Sequence, residues 1–285
     1  LFNNCDNLTS VPTNIPVSLL DISKLFYNME NISLPVINSW TTNNITNMNS
    51  MFYNCTSFNQ DISGWVVSNV NNINNMFSNC SSFNQDISSW NVSKVTTMSA
   101  TFSSCSSFNQ DISGWDTGNV INMYQTFSGC SSFNQNLGSW NTSKVNTMYG
   151  MFNTCSKFNN GDSGNNGANS FSWNTSNVND MYSIFSGCSA FNQYLGSSWN
   201  TSKVTNIYGM FNGCAVFNHG DITNAGTKSF TWILSNVTSV DYMFNGCSVF
   251  NQDITTFVLS KALKLSYMFQ DANLFNNGDI TNANS

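Results

Sequence analysis

The chain has 285 residues, of which only 8% are charged, and its formal net charge is −6. Its eight basic residues are all lysine, so it has no arginine for bidentate phosphate contacts and no basic stripe, which argues against a nucleic-acid partner. Aromatic residues make up 14%, too much for a disordered polar tract, and no stretch approaches the roughly 18 apolar residues of a membrane helix.

Tryptophan and cysteine recur along the chain at the same intervals. The tryptophans from Trp40 to Trp232 follow one another at intervals of 25, 26 or 33 along the sequence, and Phe257 takes the next place after a further 25. The cysteines from Cys55 to Cys247 keep these spacings. A fixed period of about 20 to 50 residues is typical of stacked repeats, in which each unit contacts only its neighbours.

These intervals predict that 1–285 form one solenoid array. We expect divergent rungs in 1–40, regular 25-residue rungs in 41–155, and alternating 33- and 25- or 26-residue rungs in 156–285. Because the chain begins and ends inside repeat motifs, we expect it to be a window of a longer protein. The divergent rung at 8–29 places a methionine where later rungs have cysteine.

The first half of a regular rung, taken from 68–90, has helical spacing. Val70, Ile73, Met76 and Phe77 would lie on one face of a helix of two turns. A residue suited to left-handed backbone then stands directly before the cysteine, where it would end that helix. These residues are Asn79, Gly129, Gly187, Gly213 and Gly246.

The second half of the rung, 83–90, is too short and too rich in turn-formers for a helix. We interpret it as a short strand that stacks in parallel on neighbouring rungs about 4.8 Å away. The predicted fold class is therefore an α/β repeat solenoid, similar to leucine-rich repeats, with strands on one side and short helices on the other.

Three residue types recur once per rung and predict a stacked structural ladder. The asparagine after the second phenylalanine can donate to and accept from adjacent rungs. The cysteines suit a stack of buried thiols, with disulfides between adjacent rungs as the alternative. The tryptophans suit core filling, with a sugar-stacking platform as the alternative. The ladder residues include Asn59, Asn84, Asn109, Asn134, Asn192, Cys80, Cys105, Cys130, Trp65, Trp90 and Trp115.

The repeat resembles a known group of surface proteins. "VNNINNMFSNCSSF" at 70–83 is similar to BspA-like leucine-rich repeats, and "MFYNCTSFNQDISGW" at 51–65 is more similar to the 25-residue "bacterial surface protein" repeat of mycoplasma surface lipoproteins. This resemblance covers nearly the whole chain. It implies an extracellular or surface-displayed solenoid used for adhesion or recognition. Phenylalanine and methionine replace the leucines of the family pattern, and the tryptophan is additional.

The sequence shows no pattern typical of an active site or a zinc site. Any two cysteines are separated by at least a full rung, without a C-x-x-C pair or a set of histidines. The single histidine, His219, suits a solvated loop residue rather than a catalytic base. Stacked Asp61, Asp86 and Asp111 would repel one another, so we expect them at a solvated edge.

Insertions on every second rung of the C-terminal half are the candidate ligand-binding loops. Asp162 and Asp221 match the first position of a calcium-binding loop, but most other oxygen ligands are missing. We therefore expect turns and no cofactor, with calcium as the alternative. We expect the insertions to project as a row and to bind a partner through Asp162, Asn165, Asn166, Asp221, Asn224, Lys228 and Asp279.

Asparagine and lysine alternate strictly at the residue before the helix valine. The series is Asn69, Lys94, Asn119, Lys144, Asn177, Lys203, Asn236 and Lys261. Skipping a rung doubles the distance between lysines and reduces their repulsion, and duplication of a two-rung unit would also produce this pattern.

Together these features predict a non-enzymatic extracellular protein at a cell or virion surface. Its partner would be a protein or a glycan, on another cell or in the same assembly. The alternative is a structural subunit of a fibre, sheath or virion surface that self-associates through its ends or flat faces.

Overall fold

The structure, a computed structural model, describes residues 2, 4, 5, 8–164, 169, 171–222, 228 and 230–277. Each repeat forms one rung, and parallel β-bridges join each rung to the next. This arrangement confirms the repeat solenoid. The bridge residues are Asp21, Asn47, Asn72, Thr97, Asn122, Thr147, Asp180, Asn206, Ser239 and Lys264.

The predicted helices are wrong for the part of the chain that the structure describes, which contains no α-helix. Its one helix is the 3₁₀ helix η1 (Pro35–Ser39), where proline suits the first position because its φ is fixed and its N–H is absent. The predicted strand position is also wrong. The single-residue bridges fall in the first half of the rung, at Asn72 for example, whereas 83–90 form turns and extended links.

The segment from each bridge residue to the cysteine is called here the ladder segment. Its backbone N–H groups donate alternately to the next rung and to carbonyls of the same rung. In 47–55, the even-numbered residues from 48 to 54 donate to carbonyls of the next rung at 2.8–3.0 Å. The odd-numbered residues from 51 to 55 donate three residues back at 3.0–3.2 Å. The Asn49 amide donates to the Asn47 side chain at 3.0 Å. Every N–H group from 48 to 55 therefore has a partner.

This alternation explains why the apolar spacing does not produce helices. A helix of two turns leaves most of its terminal backbone groups unpaired and is marginal by itself. The ladder segment instead pairs its backbone with the neighbouring rung. Its turns need residues with left-handed backbone. The prediction of such a residue directly before the cysteine is confirmed at Asn79 (φ 63°) and at the glycines, such as Gly129 (φ 80°). A second left-handed residue, Asn75 (φ 53°) in this rung, lies four positions earlier.

Stacks of parallel aromatic rings form the core. Phe52, Phe77 and Phe102 stack at centroid distances of 5.8 and 5.7 Å, within the range of favourable offset pairs. A second phenylalanine stack and the tryptophans run beside them. In the longer rungs, Phe171 and Phe230 enter the core and meet neighbouring phenylalanine and tryptophan rings edge-on or tilted.

Candidate functional site

A continuous chain of side-chain amides runs along one edge of the solenoid from Asn59 to Asn276. Each asparagine Oδ1 accepts the backbone N–H of the corresponding asparagine on the next rung at 2.7–2.9 Å. The neighbouring glutamine adds a second donor, as Gln85 Nε2 does to Asn59 O and Oδ1 at 2.9 Å. The Oδ1 atoms of these amides therefore join one rung to the next, as a structural ladder requires.

The cysteines from Cys55 to Cys247 are buried and form no disulfides. Each thiol donates to a phenylalanine carbonyl of the preceding rung at 2.8–3.1 Å. Burial raises the pKa of Cys55 to about 12, and it raises the pKa of Cys80 well above its ordinary value. The thiolate is therefore strongly disfavoured at neutral pH, which removes these residues as nucleophiles.

The tryptophans lie in the core, so they offer no sugar-stacking platform. Trp65 is 3% exposed, and its indole N–H donates to the Ile37 carbonyl of the preceding rung at 2.8 Å. Trp115 donates to Ile87 in the same way at 3.1 Å. Trp232 differs, because its buried indole N–H has no hydrogen-bond partner.

The insertions do not present their aspartates as projecting ligand-binding groups, and this prediction is wrong for Asp162 and Asp221. They are only 7% and 4% exposed. Their carboxylates accept from glutamine amides of the next rung, Gln193 at 3.4 Å and Gln252 at 3.2 Å. The Asn218 side chain also donates to the Asp221 carbonyl at 3.3 Å, and this bond holds the turn 218–221 together.

The other predicted insertion residues divide into one that is described and four that are not. Lys228 is exposed, and its ammonium lies 5.4 Å from the centre of the Tyr194 ring, a cation–π contact. The remaining four lie outside the described residues; they are Asn165, Asn166, Asn224 and Asp279.

His219 is buried, so the prediction of a solvated loop residue is wrong. Its ring is 0% exposed and stacks on Phe230 at a centroid distance of 3.8 Å. The carbonyls of Lys228 and Leu195 each lie 3.1 Å from one ring nitrogen. Burial lowers the pKa of His219 to about 4, because desolvation outweighs the two carbonyl contacts. A neutral imidazole enclosed in this way suits packing rather than proton transfer to a substrate.

The aspartates that were expected at a solvated edge, Asp61, Asp86 and Asp111, are exposed. Asp61 and Asp86 each accept the backbone N–H two residues later at 2.9 Å. These hydrogen bonds lower the pKa of both carboxyl groups. The charged form is thus stabilised locally, and water screens the repulsion between rungs.

A stack of tyrosines on the outer surface was missed from the sequence. Tyr124, Tyr149, Tyr182 and Tyr208 occupy the same place on four successive rungs, two residues after the bridge. Their rings stack at centroid distances of 4.9, 4.5 and 4.9 Å. Their intervals along the sequence are 25, 33 and 26, equal to those of the cysteines that follow them six residues later, and this is the signal that identifies them.

The bridge residues hold the tyrosine backbone in place. The side chains of Asn122, Asp180 and Asn206 accept the N–H of the tyrosine two residues later at 2.8–3.1 Å. Burial and then the neighbouring phenols raise the pKa of Tyr149 and Tyr208, so these phenols stay protonated. Because the rings cover each other's faces, the stack presents ring edges and a row of hydroxyl groups to solvent.

The alternating asparagines and lysines lie five residues before the tyrosine position in these rungs and form hydrogen-bonded pairs. Lys94 Nζ donates to Asn69 Oδ1 at 2.6 Å, and Asn69 Nδ2 donates to the Asn43 carbonyl of the preceding rung at 2.8 Å. The pairing repeats along the chain at Lys144–Asn119, Lys203–Asn177 and Lys261–Asn236, with Nζ–Oδ1 distances of 2.7 Å. Repulsion between lysines is therefore only part of the reason for the alternation, because the pair needs one donor and one acceptor.

Four positions of each rung are called here the ladder face: the Asn/Lys position, the residue before the bridge, the bridge residue and the tyrosine position. In the rungs around Tyr149 and Tyr208 these positions are exposed or partly exposed. Thr96, Asn146 and Thr205, which precede bridge residues, are exposed. The face is neutral to cationic along its lysine edge and rich in hydroxyls and amides, which suits recognition through hydrogen bonds.

Comparison with known proteins places the chain in a family. The family described as "Mycoplasma protein of unknown function, DUF285" matches residues 20–117, 87–171 and 160–283. The chain belongs to the DUF285 family. This membership confirms the resemblance to mycoplasma repeat proteins. No curated protein matches the sequence.

A solved structure similar to this DUF285 chain is that of a leucine-rich repeat protein from Bacteroides ovatus, determined by crystallography at 1.19 Å. The two share 11% identity with a TM-score of 0.48, over 96% of this chain and 67% of that chain.

The described residues bring together no group of three or more His, Cys, Asp or Glu side chains that could hold a metal ion. Within the same part of the chain, no helix has the length and apolarity needed to cross a membrane.

Proposed function

We propose that this DUF285 chain is a non-enzymatic recognition module, displayed at a cell surface, that binds a protein or glycan partner through the ladder face. The observation that carries the proposal is the tyrosine stack at Tyr124, Tyr149, Tyr182 and Tyr208, which is exposed or half-exposed although the core takes up the other recurring aromatics. Tyrosine is enriched at interfaces because it combines a large apolar surface with a polar tip.

A non-enzymatic role agrees with the chemistry of the described residues. The one histidine is buried with a lowered pKa, and the buried thiols have raised pKa values. The rungs repeat neutral amides and hydroxyls, which hold and orient a partner without supplying a proton-transfer group near neutral pH.

Binding to cultured epithelial cells, measured by flow cytometry with labelled protein, tests this function. We expect saturable binding that weakens about tenfold in the Tyr149→Ser/Tyr182→Ser variant, since truncating two interface tyrosines removes about 1–2 kcal/mol. Serine already occupies this column at Ser99. The matched control is Tyr194→Ser/Ile222→Ser, which removes exposed side chains elsewhere. Absence of saturable binding, or equal binding by both variants, would contradict the proposal.

A second candidate function is a structural subunit that self-associates side to side. Val66 and Ile233 occupy the same place in their rungs, directly after the tryptophan, and they are 46% and 54% exposed; exposed apolar side chains favour association. Sedimentation velocity over a concentration series distinguishes the two. Growth into large species that is abolished by Val66→Asn/Ile233→Asn favours the structural subunit. A monomer at all concentrations favours the recognition module.

A further inference from the structure

Four exposed lysines of the ladder face form a row along the solenoid. Each lies on every second rung, so consecutive ammonium groups are about 9.6 Å apart for two parallel-strand spacings. Each has the same position relative to its bridge residue. The row consists of Lys94, Lys144, Lys203 and Lys261.

Hydrogen bonds to the preceding rung orient these lysines. Lys144 Nζ donates to Asn119 Oδ1 at 2.7 Å, and Asn119 is held by its own donation to the Ser93 carbonyl at 2.8 Å. An ammonium group has three donors, so this contact leaves two for a ligand. A lysine that is already ordered loses less side-chain entropy on binding than a free one.

The surroundings of the row are polar and carry few opposing charges. Thr96, Asn146 and Thr205 lie in the next column and are exposed. Asp116 lies three residues before Asn119 in the middle of the row, and Asp180 lies in the bridge column beside it. The row is thus locally cationic although the chain has a net charge of −6.

We propose that the lysine row binds a linear acidic polysaccharide that carries one anionic group per disaccharide. This inference rests on the proposed recognition function and names its ligand class. A fully extended disaccharide has a length comparable to two rungs, so successive anionic groups meet successive lysines. The intervening sugar hydroxyls meet the threonine and asparagine side chains beside the row.

The same geometry disfavours a nucleic acid. Along the axis of a duplex, the phosphates of one strand recur about every 3.4 Å. Lysines about 9.6 Å apart would therefore leave most phosphates without a partner. Binding of single strands commonly relies on bases that stack on open aromatic faces. The tyrosine rings of the ladder face cover each other's faces, and the ring centroids of Tyr149 and Tyr182 are 4.5 Å apart.

Binding of the full chain to hyaluronan oligosaccharides of increasing length, measured by isothermal titration calorimetry, tests the proposal. The row variant carries Lys94→Asn, Lys144→Asn and Lys203→Asn. Asparagine already occupies this column at every other rung, for example at Asn119, so the substitution suits the fold. The charge-matched control changes three exposed lysines outside the ladder face, Lys24, Lys157 and Lys228, to Asn.

We expect the affinity of the parent to rise with oligosaccharide length and to fall with salt. The row variant should bind about tenfold more weakly or worse, because three exposed ion pairs are lost, whereas the control should stay within about twofold of the parent. Asp116→Asn should bind more tightly, since it removes the carboxylate within the row.

Three results would overturn the proposal. They are no hyaluronan binding by the parent, an equal loss in the row and control variants, and equal or tighter binding of oligo-dT or of anionic phosphatidylserine vesicles than of hyaluronan. Cell binding of the row variant separates this failure from that of the recognition function. If the parent fails to bind hyaluronan but still binds cells through the tyrosine stack, only the ligand class is wrong.

Discussion

Asparagine acts in four ways in this molecule, and its position in the rung decides which. Asn84 links rungs through its Oδ1, and Asn79 adopts left-handed backbone directly before the cysteine. Asn72 accepts the N–H two residues later, and Asn69 accepts the lysine of the next rung. One side chain suits all four positions because its amide both donates and accepts, and because asparagine tolerates positive φ better than other non-glycine residues.

At the same scale, His219 predicts a pH dependence of stability. Its pKa is about 6.5 when unfolded and is lowered to about 4 by burial in the fold. The unfolded chain therefore binds a proton below pH 6.5 that the folded chain does not. We expect the free energy of unfolding to fall by up to about 3 kcal/mol as the pH is lowered from 6.5 to 4.

Urea denaturation followed by tryptophan fluorescence between pH 4.5 and 7.5 measures this loss. The control is His219→Asn, because Asn160 occupies the equivalent position in the other longer rung and accepts the Leu137 N–H at 2.8 Å. The difference between parent and variant should grow toward low pH. A constant difference across this range would show that His219 does not cause the dependence.

At the scale of the element, the turns of the longer rungs depend on close backbone contacts. Gly220 and Gly213 share the same positive φ of 74° but differ in surroundings. A Cβ at Gly220 would lie 2.8 Å from the Tyr194 backbone nitrogen, whereas one at Gly213 would lie 3.7 Å from the nearest atom. The glycine at 220 is thus required by conformation and by space together.

We therefore expect Gly220→Ala to destabilise the protein more than Gly213→Ala. The second substitution should cost about 1–2 kcal/mol for the left-handed conformation alone. The first should add at least about 1 kcal/mol, because backbone must move to relieve the contact. Denaturant midpoints of the two variants measure the difference, and equal midpoints would mean that the neighbouring turn yields without cost.

At the scale of the whole molecule, stability should depend on the order of the rungs as well as on their number. Each rung contacts its two neighbours through the same ladder bonds, the signature of a one-dimensional array. The asparagine–lysine pairs add a second period of two rungs. Removing one rung preserves the ladder bonds but breaks this longer period.

Two deletions, each of a single rung, separate these periods. Deleting 81–105 removes Lys94 and leaves Asn69 next to Asn119, whereas deleting 106–130 removes Asn119 and leaves Lys94 next to Lys144. The second deletion places two ammonium groups about 4.8 Å apart and removes the acceptor of Lys144. We expect its melting temperature to be lower than that of the first, with a gap that narrows as salt is added. A gap independent of salt would exclude charge repulsion as its cause.

The sequence by itself determined the repeat architecture, the residues that recur in the core and the left-handed residue before each cysteine. These features follow from periodic side-chain chemistry, because identical rungs place identical residues in contact. Family membership also followed from these motifs. The tyrosine stack carries the same period, but it spans only four rungs, so its signal in the sequence is weaker than that of the eight tryptophans.

Only the tertiary structure decided where the backbone pairs and which polar residues are exposed. The apolar spacing of Val70, Ile73 and Met76 suits a helix, yet each ladder segment pairs with the next rung, and that choice depends on a neighbour rather than on local sequence. Asp162 and His219 lie in or beside polar, glycine-containing insertions typical of exposed loops, but neighbouring rungs help to enclose them, through Gln193 for Asp162 and through Leu195 for His219. Burial in a solenoid is set by what stacks above and below, and local polarity does not report it.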